Sequence, residues 1–169
     1  MFQISFIFVI TLTTVLSSKL PENFLALGEN YVYSVALLDF FQSYAACKRF
    51  GWTLATEKNE RETTILAQEI KANGLEDTVH WLGGFYQIDK EFIPRWMWLE
   101  TGESFNYTHW YGESQTTTSS PGYKAMSTHP GKATASSNLC LEKYGFKVHD
   151  GQWVATNCEK ELYFICQIS

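Results

Sequence analysis

Positive charge is in short supply. The chain has 13 Lys and Arg against 18 Asp and Glu, a formal net charge of −5 over 169 residues. Such a chain is not built to neutralise phosphates, which argues against nucleic acid or an anionic membrane surface as the main partner. Long apolar runs are missing too. The one apolar stretch, residues 2–16, is uncharged but falls short of the ~20 residues a spanning helix needs. There is no Cys-x-x-Cys or His-x-x-x-His spacing, and His80, His109, His129 and His149 are scattered, so zinc lacks a ligand set. No nucleophile elbow, phosphate-cradling glycine loop or metal triad occurs, and the adjacent His149-Asp150 is not by itself a catalytic geometry. These absences point away from an enzyme. The chain also has no internal repeat.

What is present begins with the leader. Residues 2–16 form an apolar h-region that runs into Val15-Leu16-Ser17-Ser18, where small side chains suit signal peptidase, although the usual basic n-region is missing. Residues 1–18 are therefore expected to be a signal peptide and the protein to be secreted and extracellular, with no membrane insertion. A retained, buried element is the competing reading. About 150 residues remain, enough for one domain that buries roughly two-thirds of its unfolded surface. Cys47, Cys140, Cys158 and Cys166 then read as two disulfides in an oxidising compartment, and sequence alone leaves three pairings open.

The pattern along the chain is α+β. Residues 27–37 contain Tyr31-Val32-Tyr33, suited to a strand. Asp39 is placed to cap a helix carrying Phe40, Phe41, Tyr44, Cys47 and Lys48, which Gly51 would end. Asn59, with Glu62 three residues on, resembles a capping box for a second helix whose Ile65, Leu66 and Ile70 face a core before Gly74. Short strands are expected at 79–82, 96–99, 140–144 and 162–167. Residues 116–138 are mostly Ser, Thr, Gly, Ala, Pro and Lys, with Tyr123, Met126 and His129 among them. A loop of that length is either a mobile, O-glycosylated insert or a recognition loop.

From residue 28 to the C terminus the chain resembles a C-type lectin-like domain of the small, single-domain type common in insects. Several features carry the resemblance: Cys47, Gly51 and Leu54-Ala55; Trp81-Leu82-Gly83-Gly84; Trp98-Leu99-Glu100-Thr101-Gly102 with Phe105 and Trp110; Trp153 five residues before Cys158; and Tyr163-Phe164-Ile165-Cys166. The resemblance implies two helices packed on short antiparallel sheets and a long irregular ligand-loop region. It also implies the disulfides Cys47–Cys166 and Cys140–Cys158 and a buried role for Trp81, Trp98 and Trp153. The chain would then comprise a signal peptide (1–18), a short lead (19–27) and the domain (28–169).

In sugar-binding members of that family, calcium sits on a Glu-Pro-Asn or Gln-Pro-Asp triplet, an acidic residue two positions before the cysteine matched here by Cys140, and an Asn-Asp pair after the tryptophan. Ca²⁺ takes six to eight oxygens, several of them charged. Here Glu113-Ser114-Gln115 stands at the triplet, and the cis peptide that proline supports costs more before serine. Asn138 stands at the acidic position, and Trp153-Val154-Ala155 replaces the Asn-Asp pair with side chains that hold no oxygen. Thr156 and Asn157 could supply the pair only by a register slip that misplaces Trp153 or Cys158. Glu113, Gln115 and Asn138 are thus a weak remnant of a metal site, and calcium dependence is in doubt.

The expected partner is a glycan or glycoprotein. A calcium-independent module that binds protein and no sugar is the alternative. Glu113, Gln115, Asn138, Tyr123 and His129 could form a calcium-free polar surface, and Tyr107, Trp110 and Tyr111 an aromatic platform for a sugar ring, although the family resemblance implies that Trp110 is buried. Asn106-Tyr107-Thr108 is an N-glycosylation sequon. Regular spacing for an ice-binding surface is lacking. With neither a coiled-coil neck nor a second domain, multivalency would require self-association.

Overall fold

The computed structural model describes residues 20–87, 95–112 and 139–168. The expected leader lies outside them. The first two strands, β1 (Phe24–Leu27) and β2 (Tyr31–Ser34), form an antiparallel hairpin with Leu27 opposite Tyr31. Sequence reading expected one strand over 27–37, whereas β1 falls in the segment taken as a lead. The signal was Gly28, which turns the chain at φ +69°; a Cβ there would also run into the Glu69 carboxylate.

Helix α1 (Phe40–Lys48) starts where Asp39 accepts the Gln42 N–H at 2.8 Å, and α2 (Glu60–Ala72) where Asn59 accepts the Glu62 N–H at 3.0 Å. The Glu62 carboxylate does not close the capping box on Asn59's own N–H. It takes the Lys58 N–H at 2.7 Å and the Asn59 side-chain amide at 3.0 Å. Helix α1 buries Phe40, Ser43 and Cys47, while Phe41 points outward. Helix α2 buries Leu66 and Ile70 as its spacing predicts.

The remaining strands are β3 (Thr53–Leu54), β4 (His80–Gln87), β5 (Arg95–Trp98), β6 (Leu139–Lys143), β7 (Trp153–Asn157) and β8 (Tyr163–Gln167), with the single turn α3 (Phe146–His149) between β6 and β7. They join in the order β1-β2-β8-β4-β6-β7, with β3 on β8 and β5 on β4. The β4–β8 pairing is parallel, an exception to the antiparallel sheets expected. Strand β7 was not foreseen, because Val-Ala-Thr-Asn shows no alternation of apolar and polar residues.

Strand β4 organises the molecule. Its register breaks between Trp81 and Phe85, and there the Gly83 N–H reaches back to the Ala55 carbonyl at 2.8 Å while the Gly83 carbonyl accepts from Leu99 at 2.9 Å. A Cβ on Gly84 would stand 2.7 Å from both Leu141 and Phe105. Two buried clusters flank this point. One holds Trp96, Trp98, Trp110 and Trp153; the other holds Phe40, Trp81, Phe164 and all four cysteines. The disulfides are Cys47–Cys166, which ties α1 to the last strand, and Cys140–Cys158, which closes the β6–β7 hairpin. No helix among the described residues is long and apolar enough to cross a membrane.

Candidate functional site

The arm 109–111 runs beside β7. The Trp153 N–H donates to the His109 carbonyl at 2.8 Å, and the Tyr111 N–H to the Trp153 carbonyl at 2.9 Å. This pairing turns the Trp110 ring inward, 4.9 Å from Trp96 and 5.6 Å from Trp153, and leaves it 1% exposed. Tyr107 is half-buried with its ring 5.9 Å from Trp153, and burial pushes its hydroxyl pKa up. Trp110 is thus buried, as the family resemblance implies, and Tyr107, Trp110 and Tyr111 do not form a shared platform.

Tyr111 alone of the three faces outward, at 37% exposed. Its ring centre lies 4.0 Å from that of His149, which in turn lies 4.7 Å from Tyr144. From the sequence, His149 counts only among the scattered histidines that fail to make a zinc site and as a neighbour of Asp150. The link to Tyr111 is tertiary and leaves no spacing signal. Asp150 ends α3 in the left-handed region at φ 48°, an unusual place for a residue with a side chain. Burial, then the Lys143 charge, holds the His109 imidazole below the usual histidine range.

Strand β7 also bears on the calcium question. Its register sets Val154 opposite Glu142 and Ala155 opposite Leu141, and Val154 is 7% exposed. Neither side chain offers oxygen. Asn157 is spent on the turn that follows, where it accepts the Glu159 N–H at 3.0 Å, and the Cys140–Thr156 pairing leaves no room for a slip. Glu142, the nearest carboxylate by register, is buried and held by Lys160 at 3.0 and 2.9 Å. Among the described residues no group of three or more His, Cys, Asp or Glu could hold a metal. The described part of the family's calcium cradle does not fit the ion. Glu113, Gln115, Tyr123, His129 and Asn138 lie outside the described residues, as does loop 116–138; Asn106 is exposed.

Beneath β7 lies a pair that sequence reading missed. Glu57 and Lys143 are both fully buried, with Lys143 Nζ 2.8 Å from Glu57 Oε1. The same ammonium donates to the Gly151 carbonyl at 2.6 Å, and the Trp153 indole N–H donates to Glu57 Oε2. Glu57 opens the run Glu57-Lys58-Asn59-Glu60-Arg61-Glu62, which reads as a solvated stretch, and nothing local marks it as internal.

A helix disulfide-bonded to the last strand, a second helix, and a bridged hairpin at one edge of a mixed sheet define a C-type lectin-like fold. The chain belongs to the Lectin C-type domain family, whose model matches residues 37–168. Among solved structures it is similar to the human scavenger receptor C-type lectin carbohydrate-recognition domain (24% identity, TM-score 0.56, 89% of this chain and 99% of that one). It is also similar to a Ca²⁺-dependent type II antifreeze protein in its Ca²⁺-free form (21%, 0.56, 89% and 100%). A third is the SPL-1–GlcNAc complex (17%, 0.59, 87% and 93%). At these identities the likeness is one of fold. No curated protein sequence matches the chain.

Proposed function

We propose that this protein is secreted and recognises carbohydrate, as a glycan or on a glycoprotein, without relying on calcium. The observation that carries the reading is Tyr111. It is an exposed ring backed by His149, on the arm that pairs with the strand whose metal-donor positions are Val154 and Ala155. An exposed aromatic ring with a polar edge can meet the apolar face of a sugar ring while its hydroxyl meets the sugar's own. The fold by itself does not decide the ligand. Its neighbours include a carbohydrate-recognition domain and a GlcNAc complex, but also an antifreeze protein. Secretion is supported by the apolar leader and the two disulfides. Asn106, exposed and within its sequon, is the proposed N-glycosylation site. The role is binding rather than catalysis.

A protein ligand is the second reading. The exposed Leu25, Val35, Leu37 and Phe41 favour it. A glycan array that includes GlcNAc, probed with the disulfide-bonded protein in millimolar calcium and again in EDTA, separates the two. Binding that survives EDTA is the expected result. Binding lost in EDTA would mean that a metal completes the site. No binding in either buffer would end the carbohydrate reading.

A further inference from the structure

Val154 and Ala155 put no side-chain oxygen on β7, so residues 151–153 are not tied down by the carboxylate and amide ligands that a calcium ion would gather there. We infer that the buried Lys143 ammonium is this domain's resident cation, holding residues 151–153 in place by gathering the Glu57 carboxylate and the Gly151 carbonyl. The chemistry parallels that of a hard metal ion, which collects carboxylate and main-chain oxygens from separate segments. Here a carboxylate from the β3–α2 link lies at 2.8 Å and a carbonyl from the α3–β7 turn at 2.6 Å. The Phe146 ring, 5.3 Å from Nζ to its centre, adds a favourable face for the same cation. The second oxygen of Glu57 accepts the Trp153 indole N–H, so the carboxylate serves both the cation and the strand.

The reach of the network is what gives it a role. Trp153 passes the constraint on through its main chain, which pairs with His109 on one side and Tyr111 on the other. One ammonium thus fixes the α3–β7 turn and the start of β7, and through them the arm that presents Tyr111. A fully buried ion pair is a weak source of net stability, since desolvation offsets most of the attraction, but it fixes geometry and registry well. Filling the same space with hydrocarbon would keep the fold and lose the directional bonds. This separates a positioning role from a packing role.

The test uses the secreted, oxidised protein in three forms: wild type, Lys143→Met, and the double variant Glu57→Leu/Lys143→Met. Thermal melting is recorded in millimolar calcium and in EDTA, with hydrogen exchange followed at the Trp153 indole N–H and the Tyr111 amide. Wild type should melt and exchange alike in both buffers. Lys143→Met should melt lower, because it strands the Glu57 carboxylate, and calcium should not restore it. The double variant should melt close to wild type yet exchange roughly tenfold or more faster at both reporters, as local opening does without global unfolding. Wild-type protection that falls in EDTA would assign the ordering to a metal and overturn the inference, whether or not either variant folds. Wild-type protection persisting in the double variant would also overturn it, reducing the pair to core filling. Neither readout involves a sugar, so failure of the carbohydrate reading would leave this result intact.

Discussion

At the scale of single residues, Gly84 and Tyr111 make opposite predictions. Gly84 faces Leu141 and Phe105 so closely that a methyl group must displace one of them. Gly84→Ala should therefore cost ~1–3 kcal/mol, the usual penalty for overpacking a core, read as a lower urea midpoint with an unchanged m-value. Tyr111→Ala removes a partly exposed ring and should change stability by less than ~1 kcal/mol. Glycan binding in EDTA should nevertheless fall by about tenfold, in proportion to one lost aromatic contact. Unaltered binding would remove Tyr111 from the site. The Trp-Leu-Gly-Gly string marks Gly84 as part of a core strand, while the reason for glycine there, its approach to Leu141 and Phe105, is tertiary. Nor was the meaning of Glu57, Lys143 and His149 legible in the sequence. Their partners stand far away in sequence, and Glu and Lys are far commoner on surfaces than in cores.

At the scale of elements, both long helices could be read from sequence because caps and apolar spacing are local signals, and Asp39 and Asn59 act as their chemistry dictates. The elements that escaped depend on partners. β1 and β7 exist because β2 and β6 pair with them, and α3 is a single turn inside the β6–β7 connection. Part of the candidate site hangs on the β6–β7 hairpin, which Cys140–Cys158 closes across a separation of 18 residues. For a loop of that length, constraint of the unfolded chain is worth ~3 kcal/mol. Changing both Cys140 and Cys158 to Ser should lower stability by about that amount while leaving Cys47–Cys166 formed, as checked by denaturant unfolding and thiol counting. A loss well under ~1 kcal/mol would show that the hairpin is held by its β-ladder rather than by the bridge.

At the scale of the whole molecule, the buried titratable groups set the pH range over which the fold is most stable. His80 is fully buried on the central strand β4, with Nδ1 3.3 Å from Thr78 Oγ1 and, among the described residues, no hydrogen-bond partner for Nε2. Burial, and then the charge of Lys143, pushes its imidazole down from 6.5 to about 3. Between those values the unfolded chain binds a proton that the folded protein refuses. Stability is therefore full above pH 6.5 and declines as the pH falls toward 3, by at most ~1.4 kcal/mol per pH unit from this residue. His109, also lowered by burial, acts in the same direction. The alkaline side has the opposite sign. Tyr31 and Tyr33 are pushed up by burial from 10 to about 12, so the folded state keeps protons that the unfolded chain releases, and stability falls as the pH rises past 10. Glu100 and Glu103 are held low by Lys48 and Lys58, but those pairs face water and are screened. The expected profile is a plateau from roughly pH 6.5 to 10 with a limb on either side. Urea unfolding at pH 4, 5, 7 and 9 should trace the acid limb, and His80→Gln should flatten it, because a neutral amide has no proton to gain. An acid limb just as steep in the variant would mean that some group other than His80 carries the acid sensitivity.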